Sequence, residues 1–148
     1  MNHEVKKELN NKGFSLMELI IVVAIMAVLI GVLAPQYLKY VEKSRQSADL
    51  QAIDTLISAV EIYSASTSVT GELVCSDSTV TTDDDGLKKA FEDAGITMTG
   101  TKVATMKSDK YKSWTITFSA SEVLVNDDDL AAALSIKLTE GAGGGGTE

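Results

Sequence analysis

The chain contains few of the residues on which most enzyme chemistry depends. It has one cysteine, one proline and one histidine in 148 residues. Because Cys75 has no partner, an intrachain disulfide is impossible, and we interpret it as a small half-buried residue rather than a reactive thiol or an intermolecular link. Since the only histidine is His3, histidine-based triads, general bases and metal ligands are excluded from the rest of the chain. We therefore expect no enzyme, no cofactor and no metal site.

Positive charge is also scarce outside the first residues. Residues 1–13 carry three lysines against two glutamates, a net charge of +1, whereas residues 66–148 carry seven lysines against fourteen acids, a net charge of −7. A surface of this sign repels nucleic-acid phosphates and anionic headgroups. The bulk of the chain is therefore not expected to bind nucleic acid.

The most informative segment is a long apolar run near the start of the chain. Every residue from Phe14 to Ala34 is apolar or small except Glu18. At about 1.5 Å per residue, a helix of this run spans roughly 30 Å, the thickness of a bilayer core. An ionised side chain in such a segment is costly, so Glu18 is expected to have a partner or a function.

The residues around the start of this run form a recognisable motif. The sequence GFSLME at residues 13–18, preceded by Lys12, resembles the leader motif of type IV pilins, and the helix that follows supplies the expected context. The resemblance implies cleavage between Gly13 and Phe14 by a membrane prepilin peptidase, followed by N-methylation of Phe14. It also implies that Glu18 recruits the terminal amine of a neighbouring subunit during assembly.

Two other interpretations of this segment remain open. The first is an ordinary membrane anchor whose Glu18 stays hydrated near the headgroups, which does not explain the Gly-Phe-Ser-Leu sequence before it. The second is a conventional signal peptide cut after Ala34, which is disfavoured because Pro35 would follow the cut and the apolar run is too long.

Gly31 and Pro35 form a weak point within the predicted helix. Pro35 has no N–H, so the carbonyl of Gly31 loses its usual donor, and glycine itself disfavours a helix interior. We weigh two interpretations equally. One is a tolerated kink, common in membrane helices. The other is a section that unwinds when subunits leave lipid and pack in a filament, as the resemblance implies.

Beyond this point the sequence predicts an α+β domain with a pilin fold. Apolar residues at helical spacing continue to Ala65, so a long helix is expected to cover one face of a small antiparallel sheet. Gly95 and the acidic residues before Leu87 predict a short helix at Leu87–Ala94. Three or four strands are predicted from alternating or β-prone residues, at Trp114–Phe118, Val123–Val125 and 134–138, with weaker candidates at 102–107 and around Leu73–Cys75.

Two runs of three aspartates raise the question of a calcium site. Asp83–Asp85 and Asp127–Asp129 do not have the spacing of an EF-hand loop. Helix capping and solvated turns are therefore the preferred interpretation of both runs.

Together these features divide the chain into four parts. They are a leader at residues 1–13, a transmembrane or filament-core helix at 14–35, an amphipathic continuation at 36–65, and a globular head at 66–148 that ends in a flexible glycine-rich tail. Many pilins close the distal region with a disulfide, and its absence here leans towards a Gram-positive source.

The resemblance implies a self-assembling structural protein. The first hypothesis is the major subunit of a type IV pilus, a single-pass membrane protein that becomes a cell-surface filament. Its expected partners are further copies of itself, the prepilin peptidase, the membrane, and a membrane assembly platform with its ATPase. The alternatives are a pseudopilin of a type II-like secretion or competence system, and a membrane-anchored binding domain that never polymerises. Cell adhesion and motility are expected roles of such a pilus.

Overall fold

The computed structural model describes residues 13–120 and 122–138, and it confirms the α+β prediction. The predicted leader before Gly13 and the glycine-rich tail lie outside this range. The helices are α1 (Leu16–Ser64), α2 (Asp85–Asp93) and α3 (Asp128–Leu134). The strands are β1 (Gly71–Ser76), β2 (Thr79–Thr81), β3 (Lys102–Thr105), β4 (Trp114–Phe118), β5 (Val123–Val125) and β6 (Lys137–Leu138).

The chain divides into two units, residues 1–39 and residues 40–148. In the described part of the first unit, residues 13–39, every residue is exposed. The helical part of this unit carries the apolar run. It is also the only segment of the described chain that is long and apolar enough to cross a membrane.

The second unit contains the hydrophobic core. On α1, an apolar stripe formed by Ile53, Leu56, Ile57 and Val60 is buried, as the helical spacing predicted. It belongs to one core cluster with residues of the sheet and of α2 and α3, including Leu73, Val80, Phe91, Trp114, Ile116 and Leu130. The amphipathic part of the helix is therefore buried against the head, because a sheet with one apolar face needs such a cover.

The sheet has the strand order β3-β2-β1-β4-β5-β6. All neighbouring pairs are antiparallel except β5 and β6. Strand β4 lies near the centre, and its alternation places Trp114, Ile116 and Phe118 in the core. Strands β4 and β5 occupy the predicted residues, β3 falls within the weaker candidate at 102–107, and β1 contains the weaker candidate around Leu73–Cys75.

The expectation of only three or four antiparallel strands is wrong in two places. Residues 71–81 form a hairpin, β1 and β2, whose two-residue turn places Asp77 and Ser78 at φ values of 49° and 65°. This is the backbone of a type I′ turn, reached without the Asn-Gly or Asp-Gly sequence that usually marks it. At the other end, Leu134 closes α3, and Ser135 caps that helix in the left-handed conformation. The predicted strand at 134–138 therefore shortens to β6. Strand β6 pairs with β5 in parallel, because α3 connects the end of β5 to the start of β6 and returns the chain to the same end of the sheet.

A buried carboxylate joins α1 to the segment between β3 and β4. Asp49 is 2% exposed, and its two oxygens accept hydrogen bonds from the backbone N–H groups of Lys107, at 2.8 and 3.0 Å, and Ser108, at 2.7 Å. Two turns earlier on the helix, Glu42 accepts from the N–H of Asp109 at 2.8 Å. These contacts connect residues that lie 58 to 67 positions apart, so they fix the loop to the helix without a disulfide.

Candidate processing and assembly site

The apolar helix begins with a capping box. Ser15 lies just before the first helical residue, and its hydroxyl oxygen accepts a hydrogen bond from the Met17 N–H at 3.3 Å. In return, Glu18 Oε2 accepts from the Ser15 N–H at 2.9 Å. This reciprocal pair satisfies two of the donors that a helix start otherwise leaves open. The sequence signal for it is Ser-x-x-Glu, whose two fixed residues also belong to the leader motif.

The cap also orients the carboxylate of Glu18. One oxygen, Oε2, is held by the Ser15 N–H, whereas Oε1 has no hydrogen-bond partner among the described residues. The whole side chain is exposed. A carboxylate in the first turn of a helix is favoured by the helix dipole and can still accept a cation on its open side.

Gly13 and Phe14 lie outside the helix. Both residues precede the first helical residue, Leu16, and the Phe14 side chain is 92% exposed. A Cβ placed on Gly13 would meet nothing within 4 Å. Within the part of the chain that the structure describes, there is therefore no steric reason for glycine at this position.

The surface that follows this site is apolar on all sides. The large side chains between Leu16 and Leu33 are at least 48% exposed. A contiguous apolar surface of this extent is not stable in water and marks a membrane or protein contact. Membrane anchoring of the chain before any assembly follows from this helix together with its leader motif.

Gly31 and Pro35 both lie inside α1. A Cβ on Gly31 would meet nothing within 4 Å, so glycine is not needed there for packing within the unit. Pro35 cannot donate to the Gly31 carbonyl, which leaves one missing bond in an otherwise helical segment. The two residues are one helical turn apart and about three turns or more from Glu18, so they do not form a single site with it.

The remaining candidates in the head have structural roles. Asp84 caps α2 by accepting from the Gly86 and Leu87 N–H groups, and Asp127 caps α3 by accepting from the Leu130 N–H, which confirms the capping interpretation. Among the described residues, no group of three or more acidic, cysteine or histidine side chains is arranged to hold a metal.

Cys75 is buried within β1, and its Sγ lies 3.3 Å from the Lys112 carbonyl. Burial, and then the nearby negative charge of Asp49, raise the pKa of the thiol to about 11. The thiol is therefore protonated at neutral pH and a poor nucleophile. Burial is more complete than the half-buried position that we expected from sequence.

Comparison with known protein families identifies the amino-terminal segment. Residues 9–34 match the prokaryotic N-terminal methylation motif. This confirms the resemblance to the class III signal of type IV pilins, and the match includes the capping box and the whole apolar run from Phe14 to Ala34. The α+β architecture is consistent with a pilin fold. No solved structure matches the chain.

Proposed function

Because the chain carries this methylation motif at the head of an exposed apolar helix, we propose that it is the precursor of the major subunit of a type IV pilus. In this proposal a prepilin peptidase cuts between Gly13 and Phe14 and methylates the new amino terminus. The subunit waits in the membrane, and an ATP-driven assembly platform then adds it to a helical filament at the cell surface. The motif favours such a structural subunit over an enzyme.

The observation that carries the proposal is the single carboxylate of the apolar run. Burying the helix among other copies would transfer Glu18 to an apolar interior, where an unpaired carboxylate is destabilising by several kcal/mol. Cleavage after Gly13 creates a cation at the amine of Phe14, four residues before Glu18. Because Glu18 Oε1 has no hydrogen-bond partner among residues 13–120 and 122–138, the carboxylate can pair with the amine of an adjacent copy while Oε2 still caps its own helix.

The exposed helix also needs a second environment once it leaves lipid. Its apolar surface is covered by acyl chains in the membrane, and extraction into water would expose all of it. Packing against the same segment of other copies replaces lipid contact with protein contact. Identical chains that bind head to tail without closing a ring form a helical filament.

We further propose that the Gly31–Pro35 section unwinds in the filament. The missing hydrogen bond at Pro35 and the low helix propensity of Gly31 lower the cost of opening the helix there. Local unwinding would let adjacent helices adjust their packing without disturbing the capped start of the helix.

Glu18→Gln tests the central role of the carboxylate. The amide keeps the size and the capping acceptor of the side chain but removes its charge. The variant should be cut after Gly13 and remain in the membrane, yet yield no filaments when cells are sheared. Glu18→Ala should behave in the same way, and Glu61→Gln, an exposed charge change on the same helix, should assemble normally. Wild-type filament yield from Glu18→Gln would overturn the proposal.

The pseudopilin alternative shares the same motif, and filament abundance separates the two. A major pilin is the main protein of sheared surface filaments, whereas a pseudopilin remains associated with the envelope in small amounts. A non-polymerising anchored domain would yield no filaments from the wild-type chain.

A further inference from the structure

The capping box lies two residues from the bond that the proposed function requires to be cut. Hydrolysis adds water across the Gly13–Phe14 peptide bond, and it leaves a carboxylate on Gly13 and an amine on Phe14. The reaction begins at the carbonyl carbon of Gly13. The state of this carbonyl in the uncut chain therefore decides how easily a peptidase can reach it.

An α-helix that extended upstream through this segment would engage that carbonyl. Helical hydrogen bonds run from the N–H of one residue to the carbonyl four residues earlier. The donor for Gly13 would be the Met17 N–H. A peptide bond held in this ladder presents its carbonyl along the helix axis and must be unwound before it can enter an extended active-site cleft.

In the structure that donor is already taken. The Met17 N–H donates to Ser15 Oγ, and the helix makes its first backbone bond from the Leu19 N–H to the Ser15 carbonyl. The Ser15 N–H, which would otherwise point back towards the leader, donates to Glu18 Oε2. Of the two bonds of the box, only the one from the Met17 N–H takes the donor that the Gly13 carbonyl would use in a longer helix.

We propose that Ser15 is a positioning residue for leader cleavage, because its hydroxyl occupies the Met17 N–H and so keeps the Gly13 carbonyl outside the helix. This inference rests on the proposed function. It assigns different tasks to the two halves of the capping box. Ser15 keeps the scissile bond accessible, whereas the charge of Glu18 serves assembly.

The test compares initial rates of cleavage of the full precursor, in detergent micelles, by a prepilin peptidase. Ser15→Ala should slow cleavage roughly three- to tenfold. This is the factor by which loss of an N-cap residue typically shifts the equilibrium between a helix that starts at Leu16 and one that extends upstream. Ser15→Thr, which keeps the hydroxyl, should restore the rate. Ser44→Ala, at an exposed serine within the same helix, should leave the rate unchanged.

Glu18→Ala provides the internal comparison. It removes the bond to the Ser15 N–H but leaves Met17 engaged with Ser15, so cleavage should stay close to the wild-type rate. Backbone chemical shifts of the same samples should show helix spreading upstream over residues 13–15 in Ser15→Ala but not in Ser15→Thr.

The outcomes separate the inference from the proposed function. If the wild-type chain is not cut after Gly13, the proposed function itself fails. If the wild type is cut there and Ser15→Ala matches Ser44→Ala in rate, only the role of Ser15 is refuted. A slower Ser15→Ala whose helix still begins at Leu16 would also refute it, because the hydroxyl would then act by direct contact with the peptidase.

Discussion

Removing the buried carboxylate of Asp49 should unfold the head at a much lower temperature. In Asp49→Asn, one oxygen becomes an NH₂ donor. With the amide oxygen at the Oδ2 position, the NH₂ would face the Lys107 N–H at 2.8 Å, donor against donor. With the amide oxygen at the Oδ1 position, the Ser108 N–H would lose its acceptor in a buried site. A hydrogen bond to a charged group contributes about 1.5–3 kcal/mol, and an orphaned buried donor adds a further penalty. We therefore expect a loss of about 2–4 kcal/mol for Asp49→Asn and about 3–5 kcal/mol for Asp49→Ala.

The assay can use the one tryptophan of the chain. Trp114 is 2% exposed on β4, so its fluorescence reports the packing of the head. For a unit of this size, each kcal/mol corresponds to roughly 4–8 °C in Tm, so the expected loss of about 2–4 kcal/mol should lower the Tm of Asp49→Asn by about 8–32 °C. Asp54→Asn, an exposed aspartate on the same helix, controls for the change of charge. If Asp49→Asn and Asp54→Asn melt together, the reasoning is refuted.

Three further predictions concern Cys75, Gly71 and the Gly31–Pro35 section. Because burial raises the pKa of Cys75 from 9.0 to about 11, iodoacetamide at pH 8.5 should label it slowly in the folded chain and rapidly in urea. Below pH 9 the thiol is protonated in both the folded and the unfolded chain, so it has no effect on stability. Between pH 9 and 11 only the unfolded chain releases the proton, so the free energy of unfolding falls as the pH rises. Rapid labelling without urea would contradict the buried position. Gly71→Ala should lower the stability of the head by about 1–3 kcal/mol, since its Cβ would lie 2.6 Å from Cγ of Asp84, the cap of α2. An unchanged melting curve would show that the cap moves aside without cost. The double variant Gly31→Ala, Pro35→Ala should be cut normally but give fewer filaments, because a restored hydrogen bond and a better helix former raise the cost of unwinding by about 4 kcal/mol. Wild-type filament yield would indicate that the section is only a tolerated kink.

Several parts of the fold could be predicted because short segments determine them. The apolar stripe around Ile53, the alternation in Trp114–Phe118 and the aspartate caps all depend on local periodicity or on hydrogen bonds to nearby backbone. The leader motif combined fixed residues with a following helix, and the match to the methylation motif confirmed it.

Other features depend on contacts that local sequence does not contain. The hydrogen bonds of Asp49 join groups more than fifty positions apart. In the sequence, Asp49 is therefore indistinguishable from the other polar residues of the helix. The turn at Asp77 and Ser78 places two non-glycine residues at positive φ, which the surrounding strand pairing imposes. The last strand is shorter than predicted because its first residue, Leu134, belongs to the helix that begins at Asp128, and Ser135 caps that helix.

The capping box is a different case, because its signal was present in the sequence. Ser15 and Glu18 have the spacing of a box, but the same residues also belong to the leader motif. Only the two hydrogen bonds of the structure show that one pair of residues both caps the start of the helix and orients the carboxylate.

The most direct test of the account is the amino-terminal peptide of sheared surface material. Cells are sheared, filaments are pelleted, and the peptide is sequenced by mass spectrometry. We predict a chain that begins at N-methylated Phe14 and is the main protein of the pellet. A chain that begins elsewhere, or one recovered only as single molecules in the membrane fraction, would contradict the account.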